Sequence, residues 1–476
     1  VLLFLVFGVA LWTLDTSVGH RFIADRVSAL KPSSGLRIRI GRIDGSIWSR
    51  ATLRDVRLSD PRGLFLEVPE LAVDWRPTGW LSNRLDIRSL RTDIAIFYRI
   101  PKLKPSTTKR KAILPDFDIR IDRLDIHRLR VEPAITGKRQ LARILGSADV
   151  SHGRARIRLD VASTAKDRLR LLLDSEPDDN RFDVDLRVNA PEQGVIGALL
   201  GTKRPIIAEI AGKGSYAVWT GHAQADVSGY RVIDLALDVR SGVYGLKGIL
   251  APAPITRGKV QRLSSPEIRV DGHASLADRK LTSRLSLRSA ALILDARGVL
   301  DLGASAFAGV TIDGNLLKPP ALFPNMTGRD VRLHMTLEGP FATAAFDYTL
   351  QSPHIAFDQT GFDNIRLTGR GHFSKAPVSV PVSARADRVT GVGDVVGGIL
   401  RNLRVEGVVK VTAKALTGEG LALNSDQLKG KLTLFVDLVT GRYEVGVSGG
   451  MARYFIPGVG IVDVLSELKV VPGEGG

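Results

Sequence analysis

The stretch that decides the fold is Arg181-Phe182-Asp183-Val184-Asp185-Leu186-Arg187-Val188, in which polar and apolar residues alternate one by one. A period of two is the period of a β-strand, because successive side chains point to opposite faces of a sheet. One face of this strand is therefore apolar and the other is charged. The pattern predicts a strand with one side against apolar material and the other side in water.

The same alternation recurs along the chain from Leu36 onward, and turns rich in Gly, Asp and Pro separate the strands at short intervals. The fold class predicted is mostly β: an elongated, curled antiparallel β-sheet groove of solenoid-like character, with a few short helices. Three strands represent the predicted lipid-binding lining of this groove, through Phe182, Val184, Leu186, Val188, Val331, Leu333, Met335, Leu337, Leu432, Leu434, Val436 and Leu438.

A short cassette recurs among these strands. Its first form is an Asp or Asn followed by an apolar residue, an arginine and another apolar residue, within 53–58, 330–333, 362–367 and 400–405. In a second form the apolar phase slips by one residue, which predicts a β-bulge between strand segments. The second form occurs at Leu85/Ile87/Leu90 and at Leu124/Ile126/Leu129.

Helices are expected to be few. Residues 15–34 predict a juxtamembrane helix and linker, capped by Thr16 or Ser17. Its apolar side is predicted to carry Val18, Phe22, Ile23, Val27 and Leu30. Pro191 to Gly201 predicts a further helix, and Lys138 to Leu145 and Ile461 to Leu468 are weaker candidates.

The first fourteen residues carry no charge and predict the end of a transmembrane anchor. As a helix they would span ~21 Å of a ~30 Å hydrocarbon core, so the run is interpreted as the tail of a longer span. A signal-peptide core and a buried core helix are the alternatives. The anchor residues predicted are Leu2, Leu3, Phe4, Leu5, Val6, Phe7, Leu11 and Trp12.

The charge is strongly basic, with 67 Lys and Arg against 50 Asp and Glu, a net charge of +17. Most basic residues alternate singly with apolar ones, which is typical of the water-facing side of a sheet. The basic, Pro-rich segment 101–115 predicts a solvated loop, with contact to anionic headgroups as the alternative. No aromatic residues interleave with this charge, so nucleic acid is not an expected partner.

The search for catalytic chemistry is negative. The chain has no cysteine, and its eight histidines are scattered without metal-ligand spacing. The string Gly446-Val447-Ser448-Gly449-Gly450 matches a nucleophile elbow but lacks a helix after it, and is interpreted as a chance glycine turn. We therefore expect no catalytic residue, no metal and no cofactor, and predict that the chain is not an enzyme.

Three segments near the start carry a resemblance to a known family. They are Gly41-Arg42-Ile43-Asp44-Gly45-Ser46-Ile47-Trp48, then Leu53 to Leu58, then Leu71-Ala72-Val73-Asp74-Trp75-Arg76-Pro77. Together with the anchor they resemble the N-terminal part of the TamB translocation and assembly module subunits, within the AsmA-like group. The pattern is specific over about the first hundred residues, and beyond them only the strand style and the cassettes match.

This resemblance implies a single-pass inner-membrane anchor and a periplasmic β-groove, here residues 36–476. It implies a TamA-like outer-membrane barrel of the Omp85 type as partner, and phospholipid acyl chains as ligand. The function expected is a bridge for outer-membrane biogenesis that conducts phospholipid, supports the assembly of outer-membrane proteins and autotransporters, or does both. The alternative is a structural or adhesive β-solenoid of the cell envelope with a closed core and no ligand.

Overall fold

The computed structural model describes residues 15–29, 35–102, 118–151, 154–176, 181–215, 217–456 and 460–470. Strands make up 67% of the structure, which confirms the mostly-β prediction. The chain divides into two compact units, Val1–Gly242 and Val243–Gly476. Each unit is built on hydrogen-bonded strands that follow chain order, and its first and last strands do not pair to close a barrel.

Unit 1 contains the strands from Arg37 to Arg240. The first two are short and both pair with the third, and every later strand pairs with the one before it. These strands are β1 (Arg37–Arg39), β2 (Arg42–Gly45), β3 (Arg50–Asp60), β4 (Gly63–Arg76), β5 (Arg84–Phe97), β6 (Asp118–Val131), β7 (Gln140–Ser151), β8 (Arg154–Ser163), β9 (Arg168–Glu176), β10 (Arg181–Ala190), β11 (Ile206–Gly214), β12 (Val218–Val227) and β13 (Tyr230–Arg240).

Unit 2 contains the strands from Val243 to Val470, all paired antiparallel. The short strand β19 pairs with β21 beside the longer β20, and the short strand β24 pairs with β22 beside the longer β23. Because of this, β18 pairs with β20 and β23 pairs with β25. These strands are β14 (Val243–Leu250), β15 (Ile268–Ala277), β16 (Lys280–Arg288), β17 (Leu292–Asp301), β18 (Ala306–Leu316), β19 (Met326–Arg329), β20 (Val331–Pro340), β21 (Ala345–Phe357), β22 (Thr360–His372), β23 (Val378–Ala386), β24 (Arg388–Thr390), β25 (Leu403–Val411), β26 (Ala415–Asn424), β27 (Leu428–Asp437), β28 (Tyr443–Ile456) and β29 (Gly460–Val470).

The helices are short; the first precedes β1 and the others lie in connections between strands. They are α1 (Ser17–Ala29), α2 (Pro133–Thr136), α3 (Val195–Leu199), α4 (Gly258–Ser264), α5 (Pro319–Leu322) and α6 (Asp394–Ile399), with 3₁₀ turns at Pro77–Ser82 and Ala253–Ile255. Within the described ranges, no helix combines the length and the apolar character that a bilayer span requires. The predicted anchor residues from Leu2 to Trp12 lie outside the described residues.

Both forms of the cassette coincide with irregular backbone positions. In the second form the register shifts where the sequence predicts a bulge: Arg88 is the extra residue between Ile87 and Leu90, and two residues after Ile126 face one on β7. In the first form the Asp or Asn adopts a left-handed backbone conformation, with φ near +50°, which these two residue types tolerate better than others. These residues are Asp55, Asp330, Asn364 and Asn402.

The sheet of unit 1 is mixed rather than purely antiparallel, which corrects the prediction. Strand β6 runs parallel to β5, with Arg84 opposite Asp118 and Phe97 opposite Val131. A parallel pair needs a connection long enough to return to the start of the first strand. Residues 98–117 make that return, so the basic segment 101–115 belongs to a crossover; residues 103–117 lie outside the described residues.

The start of this crossover is tied to the β3–β4 turn by a buried carboxylate. Asp60 accepts hydrogen bonds from Arg99 Nη1 (2.9 Å) and from the backbone N–H groups of Arg62 (2.7 Å) and Lys102 (2.6 Å). The hydrogen bond from the Arg99 guanidinium, helped by the two backbone donors, lowers the pKa of Asp60 well below its usual range.

We therefore expect Asp60→Asn to lower the melting temperature at pH 7. A carboxylate with a lowered folded-state pKa stabilises the fold above its unfolded pKa of about 4, and this contribution is lost as the pH falls further. The difference in melting temperature between the two proteins should consequently narrow between pH 4 and pH 3. Thermal unfolding from pH 7 to pH 3 measures it, and a constant difference across that range would contradict the assignment.

Two of the weaker helix predictions are wrong. Residues 138–145 enter β7, where apolar side chains at adjacent positions pair with β6 on one side and β8 on the other. Residues 461–468 lie in β29, which pairs with β28. The helix predicted from Pro191 to Gly201 is confirmed only as α3, and Leu199 and Leu200 are exposed.

A helix is present at Ser17–Ala29, and its predicted apolar side is confirmed only at Ile23. Val18 and Phe22 are exposed, whereas Ala24 and Ile23 pack against Ile43 and Ile47. Asp15 anchors the start of the helix, since its carboxylate accepts hydrogen bonds from the Ile47 N–H (2.7 Å) and the Ser46 hydroxyl (2.7 Å). With the start of the helix held in this way, the face toward the sheet contains Ile23 and Ala24 and leaves out Val18 and Phe22.

Candidate functional site

One face of unit 1 is apolar over seven consecutive strands. On β10, Val184, Leu186 and Val188 lie directly opposite three leucines of β9, and on the other side they lie opposite Gly212, Ile210 and Ala208 of β11. Following the register from β7 to β13, every described side chain in phase with these residues is uncharged. The charged residues of the same strands occupy the opposite phase.

Unit 2 has the same organisation from β14 to β27. On β20, Leu333 lies opposite Leu350 of β21, and Met335 lies opposite Tyr348. On β27, Leu432 and Leu434 lie opposite Leu421 and Gly418 of β26. The register carries this apolar phase through the described strands without a charged side chain. Leu438 falls just past the end of β27 and is therefore not part of the strand lining.

On β20 the apolar face of unit 2 is buried at both ends and partly exposed between them. Val331 and Leu337, at the two ends of the β20 set, are only 5% and 6% exposed. Each belongs to a separate buried cluster, one with Leu316, Met326 and Ile355 and the other with Val310 and Phe346. Leu333, between the clusters, and Met335, which packs against the second cluster, are partly exposed.

Unit 1 repeats this pattern around β10. At one end Trp219 is 5% exposed, and its ring lies against Phe182 with centroids 5.6 Å apart. At the other end Ala190 is 1% exposed, near the connection that carries α3. Leu186, in the middle of the strand, remains partly exposed, as do its cross-strand partners Leu171 and Ile210.

This distribution differs from that of a two-layer sandwich. A second sheet packed ~10 Å away buries the middle of each strand most deeply, because that is where the two layers interdigitate. On β10 and β20, by contrast, apolar residues near the strand ends are buried and those in the middle are partly exposed. The six residue steps from Val331 to Leu337 span ~20 Å. We call the partly exposed apolar strip between the margins of each unit the middle strip.

Two aromatic residues of the apolar face were not among the predicted site residues. Trp219 covers Gly212 and Gly221, where an added Cβ would lie 2.0 Å and 2.5 Å from its ring atoms, so these glycines provide the space for the indole. Tyr348 donates a hydrogen bond to the Pro381 carbonyl (3.0 Å), and burial raises the pKa of its hydroxyl. In the sequence, these two positions could have been recognised by glycines that share their phase on a neighbouring strand: Gly212 for Trp219 and Gly369 for Tyr348.

Neither string that imitates an enzyme motif has the required surroundings. The glycine-rich 446–450 lies inside β28 rather than in the turn it was interpreted as, and no helix follows it among the described residues. The second string, Gly212-Lys213-Gly214 and the residues after it, imitates a dinucleotide-binding loop in sequence, but residues 212–214 end β11 and the next element is β12 rather than a helix. In the part of the chain that the structure describes, no group of three or more His, Asp and Glu side chains is placed to hold a metal ion.

Comparison with known proteins adds no relative: no family model, no curated protein and no solved structure matches this chain.

Proposed function

We propose that this chain is a lipid-handling bridge protein of the cell envelope, whose apolar face holds phospholipid acyl chains. The observation that carries the proposal is the middle strip in each unit, which is uncharged and partly exposed. It lies between two buried clusters on β20 of unit 2, and between the buried residues Trp219 and Ala190 around β10 of unit 1. Transfer of acyl chains from water onto such a surface is favoured by ~0.8 kcal/mol for each buried CH₂. Because the strip carries no charged side chain, no ionic contact would hold an acyl chain at one place along it.

The resemblance to TamB extends this proposal to place and partners. On that basis the chain is anchored in the inner membrane with its bulk in the periplasm, engages a TamA-like barrel of the Omp85 type, and serves phospholipid transport or the assembly of outer-membrane proteins. It is not proposed to be an enzyme. The charge-free middle strip suits acyl chains better than polypeptide, whose backbone N–H and C=O groups would lack partners there.

Site-specific photo-crosslinking in cells tests the proposal. Crosslinkers at Val184, Leu333 and Leu434 lie on the apolar phase and are expected to capture phospholipid. The matched controls are the adjacent positions of the opposite phase, Asp185, Arg332 and Thr433. Because neighbouring residues of a strand differ only in the face they occupy, each pair separates the apolar face from general proximity to membranes.

The expected result is recovery of phospholipid from the apolar positions at about ten times the level of the controls, since lipid in the membrane does not contact the opposite face. Equal capture from both phases, or no capture from either, would remove the proposal. Capture of polypeptide instead of lipid at the apolar positions would replace acyl chains by an unfolded client.

A further inference from the structure

The arginines of the repeated cassette do not contribute to the apolar face, and the register of unit 2 brings them together on the opposite face. Arg366 of β22 lies directly opposite Arg385 of β23, and Arg385 lies directly opposite Arg404 of β25. Arg366 and Arg404 each stand two residues after the left-handed Asn of a cassette. We call Arg366, Arg385 and Arg404 the arginine ladder.

The arginine ladder is part of a longer row of directly opposed residues on neighbouring strands, and this row contains no Asp or Glu. Toward the chain start it passes through Gln351 to Arg332, and toward the chain end through Asn424 to Lys429. At ~4.8 Å between neighbouring strands, the ladder spans ~10 Å and the row from Arg332 to Lys429 spans ~29 Å. All of these side chains are exposed.

The arginine ladder is an unfavourable arrangement for the protein alone. Like charges directly opposite each other on neighbouring strands destabilise a sheet, and three in succession repeat that penalty. Elsewhere on these strands arginines have carboxylate partners, as Arg370 has in Asp347 at 2.8 Å. Within the described part of unit 2, the three ladder guanidinium groups have no hydrogen bond or ion pair. Their donors are thus available to a ligand.

Acids beside the row define the shape of that ligand. Two residues along the chain from Arg385 and Asn424 stand Asp387 and Asp426, which accept hydrogen bonds from Asn364 (2.9 Å) and Asn402 (3.0 Å). On the other side Glu406 is exposed. A broad anionic surface such as a bilayer would meet these carboxylates together with the arginines. A single extended chain lying along the row would contact its cations and amides, and no carboxylate lies within the row itself.

The neutral polar side chains beside the arginines indicate the chemistry of the ligand. The row contains amides, at Gln351 and Asn424, and the adjoining row contains Thr349, Thr368 and Ser383. The adjoining row also includes His334, opposite Thr349, whose ring is hydrogen-bonded to Asp313 (2.7 Å). Neither row carries a Phe, Tyr or Trp on which a base could stack, which disfavours a single-stranded nucleic acid. Amides and hydroxyls beside guanidinium groups suit a chain that carries hydroxyls as well as anionic groups.

We propose that the arginine ladder of unit 2 binds an anionic polysaccharide that lies across the strands, on the face opposite to the apolar one. The site is independent of the middle strip, and neither binding event requires the other. Guanidinium groups at regular cross-strand spacing contact the anionic groups of the glycan, and the amides and hydroxyls between them contact its sugar hydroxyls.

Binding of the full chain to polygalacturonate, measured by titration at fixed salt, tests this proposal. The variant R366Q/R385Q/R404Q removes the ladder and is expected to bind about tenfold more weakly, the sum of three modest exposed charge contacts. The control K280Q/K375Q/K410Q removes three exposed charges of the same unit away from the row and is expected to bind within twofold of the parent. Neutral dextran is expected not to bind.

A second measurement separates binding from structure. Removing like charges that face each other should leave the melting temperature unchanged or higher, so weaker binding cannot be ascribed to unfolding. The proposal is overturned if the two triple variants weaken binding equally, if polygalacturonate does not bind, or if the ladder variant melts at a lower temperature than the parent. Ladder-dependent binding of a single-stranded oligonucleotide, or of vesicles with anionic headgroups, in preference to the polysaccharide would overturn it as well.

Discussion

A single aspartate at Leu186 is expected to abolish function while the protein accumulates to within about twofold of its normal level. Leu186 lies in the middle strip of unit 1, opposite Leu171 and Ile210. A carboxylate there draws in water and interrupts the apolar path with a charge that every passing acyl chain must cross. Because the site is partly exposed, the carboxylate keeps part of its hydration, and the fold is not required to bury it unpaired. Val436→Asp on β27 is expected to act in the same way in unit 2.

The chain offers matched controls for both substitutions. Ile207 is an aliphatic residue of the opposite phase on the neighbouring strand β11, 57% exposed, and Phe435 stands next to Val436 on the opposite face, 41% exposed. Ile207→Asp and Phe435→Asp introduce the same charge without entering the apolar face. Both are expected to retain full activity in an outer-membrane integrity assay.

The margins should respond differently from the middle strip. Leu337 is 6% exposed within a buried cluster, so Leu337→Asp places a carboxylate among side chains that exclude water. Such a change costs several kcal/mol, and the protein is expected to be degraded. Steady-state protein level, measured beside the integrity assay, distinguishes the two outcomes.

These measurements also discriminate between the acyl-chain proposal and the closed-core solenoid. Loss of protein together with loss of function at Leu186 and Val436 would favour the closed core. Full activity with normal abundance at both positions would exclude a functional role for this face under either proposal. Loss of function in the Ile207 and Phe435 controls would show that the assay responds to added charge rather than to the apolar path.

The alternation of side chains predicted the strands well because it reflects the one property that every strand here shares, a single apolar face. On β20 the residues of the predicted apolar phase are less exposed than Arg332 and His334 of the opposite phase, and the slipped phase at Ile126 marked a real bulge. The segment 138–145 failed because its adjacent apolar residues also fit a helical spacing. Pairing with strands on both sides, which is a property of the tertiary structure, decided the outcome.

Strand direction and register lie beyond what alternation can specify. The parallel pairing of β5 and β6 depends on a crossover that the local pattern does not encode. The cassette arginines were visible in the sequence, but only the register shows that Arg366 and Arg404 flank Arg385. The closed margins likewise depend on side chains far apart in sequence, as Leu316 and Ile355 illustrate.

The second large effect expected is on stability, from a buried carboxylate that joins two connections of unit 1. Asp167, in the turn between β8 and β9, is 1% exposed. Its side chain accepts hydrogen bonds from the backbone N–H groups of Val195 (2.9 Å) and Ile196 (3.1 Å), at the start of α3, and from the Ser163 hydroxyl. Gly194 leaves room for it, since a Cβ there would lie 2.2 Å from the carboxylate oxygen.

Asp167→Ala is expected to destabilise unit 1 by about 3 kcal/mol, because it leaves two backbone donors without their acceptor in a buried place. Asp167→Asn keeps one acceptor oxygen and should cost about half as much. Asp160→Ala removes an exposed carboxylate from the preceding strand and should change stability by less than about 0.5 kcal/mol. Since a chain of two units need not unfold in one step, amide hydrogen exchange at Val195 and Ile196 is the decisive measurement. Exchange at these two amides should accelerate about a hundredfold in Asp167→Ala, while exchange in β20 of unit 2 stays unchanged. Equal protection of these amides in the variant and the parent would show that the carboxylate does not hold the connection.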